Sequence, residues 1–407
     1  MSRLIAALVL AAGLAWPATG VQAAGGSLVI VGGALRDDNR AVYAAFVERL
    51  LPTGPVLVIP AASGQPARAS AALLATLQTH GVAPERLHVF PLAMLDDSST
   101  GDVDESQWQR NAWQQALVAG VRDAAGIWFT GGDQMRIVSL LRDEQSLESP
   151  LLKLLRQRLA AGAVIGGSSA GAAIMSADMI TGGDSFRALT QPLAEHYTAI
   201  EEQDSGRLSM ARGLGFFPFG LIDQHFDRKA RLGRLVRAMQ ASDSKRAYGI
   251  DEDTALIVDL DREWATVAGS GAVTLLDASA ARFTESGDEV ADGLVLGVAH
   301  TGVELNLESH ALAGDLGAPT TADPYYGYLP PGGGGMALAN PRLEQALGYD
   351  LLDNSSTLEL QRHSTDGSGQ HLVYRFRQAA GSQAYWHRGL QTYAVEGVDF
   401  SIVRQRH

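Results

Sequence analysis

Val164-Ile-Gly-Gly-Ser-Ser-Ala-Gly-Ala-Ala-Ile174 runs from a short apolar strand signal through a turn of small residues into a stretch of helical composition. Read as strand, turn and helix, it sets Ser169 at the centre of a G-x-S-x-G pattern, Gly167 to Gly171. A serine at so tight a turn is held in a strained backbone conformation with its hydroxyl exposed. Its neighbours two residues away must be tiny, because a side chain there would collide across the turn. Amides at the start of the following helix point at the same spot, so the Ala170 N–H is a candidate donor to an oxyanion. A close-packed glycine turn without chemistry would have the same composition, so the surrounding elements decide the meaning.

Upstream, apolar runs without alternation recur at Leu28–Gly32, Val56–Pro60, Leu87–Phe90 and Ile127–Thr130, with Val164–Gly166 as the fifth. Such runs suit strands buried on both faces. Segments of helical period separate or follow them at Arg40–Leu51, Ala67–His80, Gln107–Ala124, Gln134–Arg142 and Leu151–Ala161. The alternation predicts an α/β fold, a three-layer sandwich with a mostly parallel sheet. Ligands of such sheets bind in loops at the strands' carboxyl ends. Gly249–Leu307 carries further strand signals and is expected to complete that sheet or add an antiparallel edge. Gly317–Pro341, with five prolines and the run Gly332–Gly335, reads as a linker. The expected organisation is a catalytic domain over 24–316, this linker, and a small β-rich C-terminal appendage over 342–407.

The chain has 407 residues, 46% of them hydrophobic, which excludes disorder as the main state. Its net charge of −13 argues against nucleic acid as a partner. The absence of cysteine excludes thiolate metal sites and a thiol nucleophile. No cofactor or metal is expected, since no H-E-x-x-H or similar ligand spacing occurs. Arg3 followed by the uncharged run Leu4–Trp16, with Val21 and Ala23 before Ala24, reads as an export signal over residues 1–23. That run is too short for a membrane span, so a secreted or periplasmic location is expected.

A serine nucleophile needs a base. Among ten histidines, His225 ends an apolar run (Phe219–His225) and so falls on the loop edge that carries Ser169. It precedes five cations, Arg228, Lys229, Arg231, Arg234 and Arg237, whose guanidinium groups could grip a carboxylate; a solvated basic helix face is the plain alternative. Phe129-Thr-Gly-Gly-Asp-Gln134 closes another strand with a glycine turn, and Gly132 is a candidate second oxyanion donor. A carboxylate should orient the imidazole; Asp251, Glu252 and Asp253 are equal candidates on position alone.

Together, LVIVGG (28–33), VLVIPAAS (56–63), FTGGDQ (129–134), GGSSAGAA (166–173), DQHF…RLGRL (223–235) and GIDEDTAL (249–256) resemble the cyanophycinase family. These are serine peptidases related to aspartyl dipeptidase (dipeptidase E), with a class I glutamine-amidotransferase-like fold. The likeness covers roughly residues 27–310 in the family's order. It implies hydrolysis of cyanophycin, a poly-aspartate with arginine on each β-carboxyl, to β-Asp-Arg dipeptides. By motif, it assigns Ser169 as nucleophile, His225 as base and Glu252 as the orienting acid. It places Gln134, Asp223, Gln224, Arg231 and Arg234 in the substrate pocket. The pattern departs at Lys229, where the family carries arginine, unless the run is shifted by one onto Arg228. Lysine keeps the charge and loses the bidentate fork. Ser168 stands where the family usually has threonine. The rival expectations are an exported aspartyl or β-aspartyl dipeptidase acting on Asp-containing peptides, and a non-catalytic polymer-binding protein. Related enzymes are commonly dimers, so the resemblance allows a homodimer.

Overall fold

The computed structural model describes residues 25–284, 289–331, 335–336, 342–366 and 369–406. The export signal expected over 1–23 lies outside the described residues, as do parts of the 317–341 linker. Among the described residues no helix is long and apolar enough to cross a membrane.

The first half alternates as the sequence predicts: β1 (Ser27–Val31), α1 (Arg40–Val47), β2 (Val56–Ile59), α2 (Pro66–Thr79), β3 (Leu87–Val89), α3 (Gln115–Ala119), β4 (Gly126–Phe129), α4 (Gln134–Leu141), α5 (Pro150–Ala160) and β5 (Val164–Ser168). These strands lie parallel in the order β1-β5-β4-β2-β3. Alternate residues sort to opposite faces. Val29, Val31, Val58 and Trp128 pack with Val42, Tyr43 and Phe46 of α1. Leu28, Ile30, Ile59 and Phe129 pack on the other face with Ile137 of α4 and Leu155 of α5. Helices therefore cover both faces, which is why these strands read as continuous apolar runs. Register pairs Val31 with Ser168 and Phe129 with Gly167. The carboxyl ends of β1, β4 and β5 thus finish side by side.

After β5 come the one-turn helix α6 (Ala170–Ala173), the hairpin of β6 (Asp178–Gly182) and β7 (Ser209–Arg212), and α7 (Ser185–Thr190) between them. β8 (Leu221–Asp223), α8 (Leu232–Ser242) and β9 (Arg246–Ile250) follow. The next zone divides between two sheets. β10 (Thr254–Asp259), β11 (Trp264–Gly269), β15 (Val303–Asn306) and β16 (Leu312–Gly314) extend the first sheet antiparallel from β1, making it nine-stranded. β12 (Ala272–Asp277) and β14 (Glu289–His300), with the short β13 (Arg282–Phe283), join β8 and β9 in a second, ten-stranded sheet. That sheet also takes β17 (Ala318–Pro319), β18 (Glu359–Thr365), β19 (Gln370–Arg377), β20 (Gln383–His387) and β21 (Thr392–Arg406).

Four expectations change. Gln107–Ala124 is not one helix: a 3-10 helix (Glu105–Trp113) breaks at the extended Gln114 before α3. Asn111 Nδ2 donating to Pro91 O (2.7 Å) and Trp113 Nε1 donating to Leu140 O (3.2 Å) fix that geometry against propensity. The helix after Ser169 ends within one turn, because Ile174 O and Met175 O accept Leu214 N and Phe217 N from a returning segment. Gly249–Leu307 serves two sheets rather than one. The strand-rich segment over 342–407 does not form a sheet of its own. β21 pairs with β14, with Val298 opposite Val395, in the sheet that carries Asp223.

Candidate active site

Ser169 sits just past β5 at φ 55°, ψ −108°, outside the comfortable range for a residue with a Cβ. The flanking glycines explain why the turn closes. A Cβ on Gly167 would come 2.3 Å from Gly171 O, and one on Gly171 would come 2.6 Å from Phe129 O. Only hydrogen fits at either position. The Ser169 N–H donates to Val31 O at 3.0 Å, which ties the strained residue to β1.

His225, also left-handed at φ 48°, follows β8 and reaches the serine: Nε2 lies 2.9 Å from Ser169 Oγ. Its Nδ1 lies 2.5 Å from Glu252 Oε1. The ring fits because Gly33, at the end of β1, has no side chain; a Cβ there would stand 2.3 Å from His225 Cε1. The His225 N–H donates to Gly32 O at 2.6 Å. Burial, joined by Arg231 and Lys229, holds the imidazole below the ordinary histidine range against the opposing pull of Glu252. A neutral imidazole at neutral pH can accept a proton from the serine.

The structure distinguishes the three acids that position alone leaves equal. Asp251 Oδ2 accepts Ala272 N (2.9 Å), and burial, then Asp227, push its carboxyl well above the usual carboxylate range. Asp253 caps a turn: Oδ1 accepts Arg36 N and Asn39 Nδ2 (both 2.9 Å), and Oδ2 accepts Ser270 Oγ (2.7 Å). Glu252 faces the histidine.

Ala170 opens α6 directly after the serine. The Gly131–Gly132 turn lies against it, since a Cβ on Gly131 would be 3.4 Å from Ser169 Cβ. Gly132 turns its carbonyl toward Gln203 Nε2 (3.3 Å).

The expected pocket residues are placed differently from an open binding surface. Gln224 is near the serine, with Oε1 3.4 Å from Ser169 Oγ. Asp223 and Arg234 are each 2% exposed and paired bidentately, Nε to Oδ2 at 2.8 Å and Nη2 to Oδ1 at 2.5 Å. Burial opposes the Asp223 charge, but Arg234 and Arg231 outweigh it and hold the carboxyl below its usual range. Arg234 Nη1 donates to Gly183 O (3.0 Å) and Gln203 O (2.7 Å), so its fork is spent inside the protein. Gln134 Nε2 donates to Ile180 O (3.1 Å) and Thr181 O (3.0 Å), and its Oε1 accepts Gln203 Nε2 (2.6 Å). Arg231, whose pKa burial and then Arg234 push down to about 10, bonds Gln224 O and Asp204. Lys229 shares the Asp204 carboxylate. The 3-10 turn Ile200–Asp204 therefore engages Gly132, Gln134, Lys229, Arg231 and Arg234. Nothing in its sequence marked it; Gly33 was visible only as half of a Gly-Gly doublet.

A strained serine at the carboxyl edge of a parallel sheet, hydrogen-bonded to a histidine that meets a glutamate, is the arrangement of a serine-type hydrolase. The chain belongs to peptidase family S51, whose profile matches residues 28–263, and is a serine-type peptidase. It is 30% identical to the cyanophycinase of Nostoc sp. over 259 residues, 63% of this chain and 75% of that protein. It is 37% identical to the cyanophycinase of Geminocystis herdmanii over 173 residues, 42% of this chain and 56% of that protein. Among solved structures, a peptidase from an acI-B1 Actinobacterium aligns at 18% identity and a TM-score of 0.44, covering 70% of this chain and 98% of that one.

Proposed function

We propose that this peptidase hydrolyses cyanophycin to β-Asp-Arg dipeptides through an acyl-enzyme. The observation that carries the reading is the hydrogen-bonded line Ser169 Oγ–His225 Nε2, His225 Nδ1–Glu252 Oε1 (2.9 and 2.5 Å) in a chain similar to cyanophycinases. Ser169 Oγ attacks the scissile carbonyl as its proton passes to His225 Nε2, and Glu252 stabilises the imidazolium. The Ala170 N–H and the Gly131–Gly132 turn stabilise the oxyanion. His225 returns the proton to the leaving amine, then activates the water that breaks the ester. In this reading the first sheet and its helices form a class I glutamine-amidotransferase-like core, with residues 342–407 as a β-rich addition to it. Residues 1–23 direct export to the periplasm or beyond, where an insoluble polymer would be digested before uptake, and two copies associate as a homodimer.

The test is dipeptide release from insoluble cyanophycin compared with cleavage of Asp-X dipeptides. Polymer digestion is expected. Ser169→Ala should lose at least about ten-thousand-fold in kcat, and Glu252→Gln about a thousand-fold or more, both with unchanged Tm. Granules left intact beside rapid dipeptide cleavage would favour the dipeptidase instead. Polymer degradation by a folded Ser169→Ala protein would sink the mechanism.

A further inference from the structure

Near Ser169, and lined by neither Lys229 nor Arg231, lies a cleft of about 210 Å³ between the loop after β1, the end of β4 and helix α2. Ser168 and Gly131 line it, so it opens beside the nucleophile. Its volume is below the roughly 300–1,000 Å³ of a drug-sized ligand site and suits one long side arm. Leu35, Tyr43, Leu73 and Trp128 give it apolar walls. Asp37, Thr76, Thr130 and Ser168 interrupt them, and two of these matter here. Thr130 is 6% exposed, and its Oγ1 has no hydrogen-bond partner among the described residues. A buried hydroxyl without a partner is destabilising, and a ligand or water would complete it. Asp37 lines the same cleft and is exposed, with Oδ1 accepting Thr76 Oγ1 at 3.1 Å. Among the described residues no lysine or arginine pairs with it, whereas its neighbour Asp38 is bound by Arg36 at 2.9 Å.

We infer that this cleft is a subsite for a long cationic side arm of the substrate, its stem against Leu35, Leu73, Tyr43 and Trp128, its charged head on Asp37, and a polar atom near the reacting end on Thr130 Oγ1. The inference rests on the peptidase reading above and adds which arm chemistry the site selects. The apolar walls take the stem, and the exposed Asp37 carboxylate adds a charge–charge attraction that favours an arginine-like group over a neutral isostere.

The experiment compares KM for soluble aspartate oligomers carrying arginine with KM for the same oligomers carrying citrulline, which keeps the shape and removes the charge. In the wild type, citrulline should raise KM about twofold to fivefold. In Asp37→Asn that ratio should fall to about one, and in Asp37→Glu it should persist. Asp37→Ser gives the same readout should the asparagine variant melt early. An arginine-to-citrulline ratio in Asp37→Asn equal to the wild type's would overturn the subsite. Phosphonate labelling of Ser169 in the wild type tests the peptidase chemistry separately: a labelled serine with an unchanged ratio removes the subsite alone, and an unlabelled one removes the reading beneath it.

Discussion

Two charged neighbourhoods of Ser169 are used in opposite ways. In one, Lys229, Arg231 and Arg234 meet Asp204 and Asp223 and are paired by the protein itself. In the other, no lysine or arginine among the described residues is paired with Asp37, and a cleft stands open between Tyr43, Trp128 and α2. Density of charge in the sequence and availability of charge in the structure are therefore different quantities. A run of cations draws attention, but at 2% exposure Arg231 and Arg234 could not stay charged without partners, and the chain supplies them. Asp37, in an ordinary loop, attracts none and is the acid proposed to meet a ligand.

The largest effect that could break this contrast is on stability. Arg234→Met leaves Asp223 as a buried charge without its bidentate partner, and removing one member of such a pair costs about 3–5 kcal/mol. Lys229→Met removes one arm of a partly exposed pair and should cost at most about 1 kcal/mol. Urea unfolding of both variants checks the difference. Equal, small losses would mean that Arg234 is free to serve substrate after all.

A smaller effect concerns occupancy. Asp204 places a carboxylate on Lys229 and Arg231, the position the sequence-based reading gives to an anionic end of the substrate. Asp204→Asn should therefore lower KM for an aspartate oligomer about threefold, since a partly exposed competitor of this kind is worth under about 1 kcal/mol. A KM that rises instead would make Asp204 part of the binding surface.

Legibility followed the range of the interactions. Ser169 and its glycines could be read because their constraint is local: Gly167 and Gly171 must be bare for the turn to close, and both lie within two residues of the serine. The strands β1 to β5 were readable because burial on both faces leaves no polar alternation. Glu252 was reached only through resemblance, since no periodicity separates it from Asp251 and Asp253; what separates them is which one faces His225, a matter of how the β9–β10 turn meets β8. Gly33 has the same character, because its bareness is required by a histidine on a distant loop. The C-terminal segment was recognised as strand-rich, yet its junction with β14 is a long-range pairing that alternation cannot announce. The cation run could be counted in the sequence, but its pairing with Asp204 and Asp223 could not, because those contacts are long-range.

The subtlest test lies in the pH dependence, where the cations act on the base through their charge. Burial first, then Arg231 and Lys229, lower the His225 pKa, while Glu252 raises it. The neutral imidazole is the competent form, so kcat/KM should rise with pH through a limb below the ordinary histidine value of about 6.5 and then level off. The sign for stability is consistent. A base whose folded pKa is depressed costs stability as pH falls below the unfolded value, because the unfolded chain takes the proton first. Removing one cation relieves part of the depression, so Lys229→Met should move the acid limb to higher pH while leaving the plateau in place. A pH–rate profile on a soluble oligomer, fitted for kcat/KM, measures that displacement. A limb that stays fixed would show that Asp204 cancels the Lys229 charge as seen from His225, which would make Lys229 electrically silent toward the chemistry.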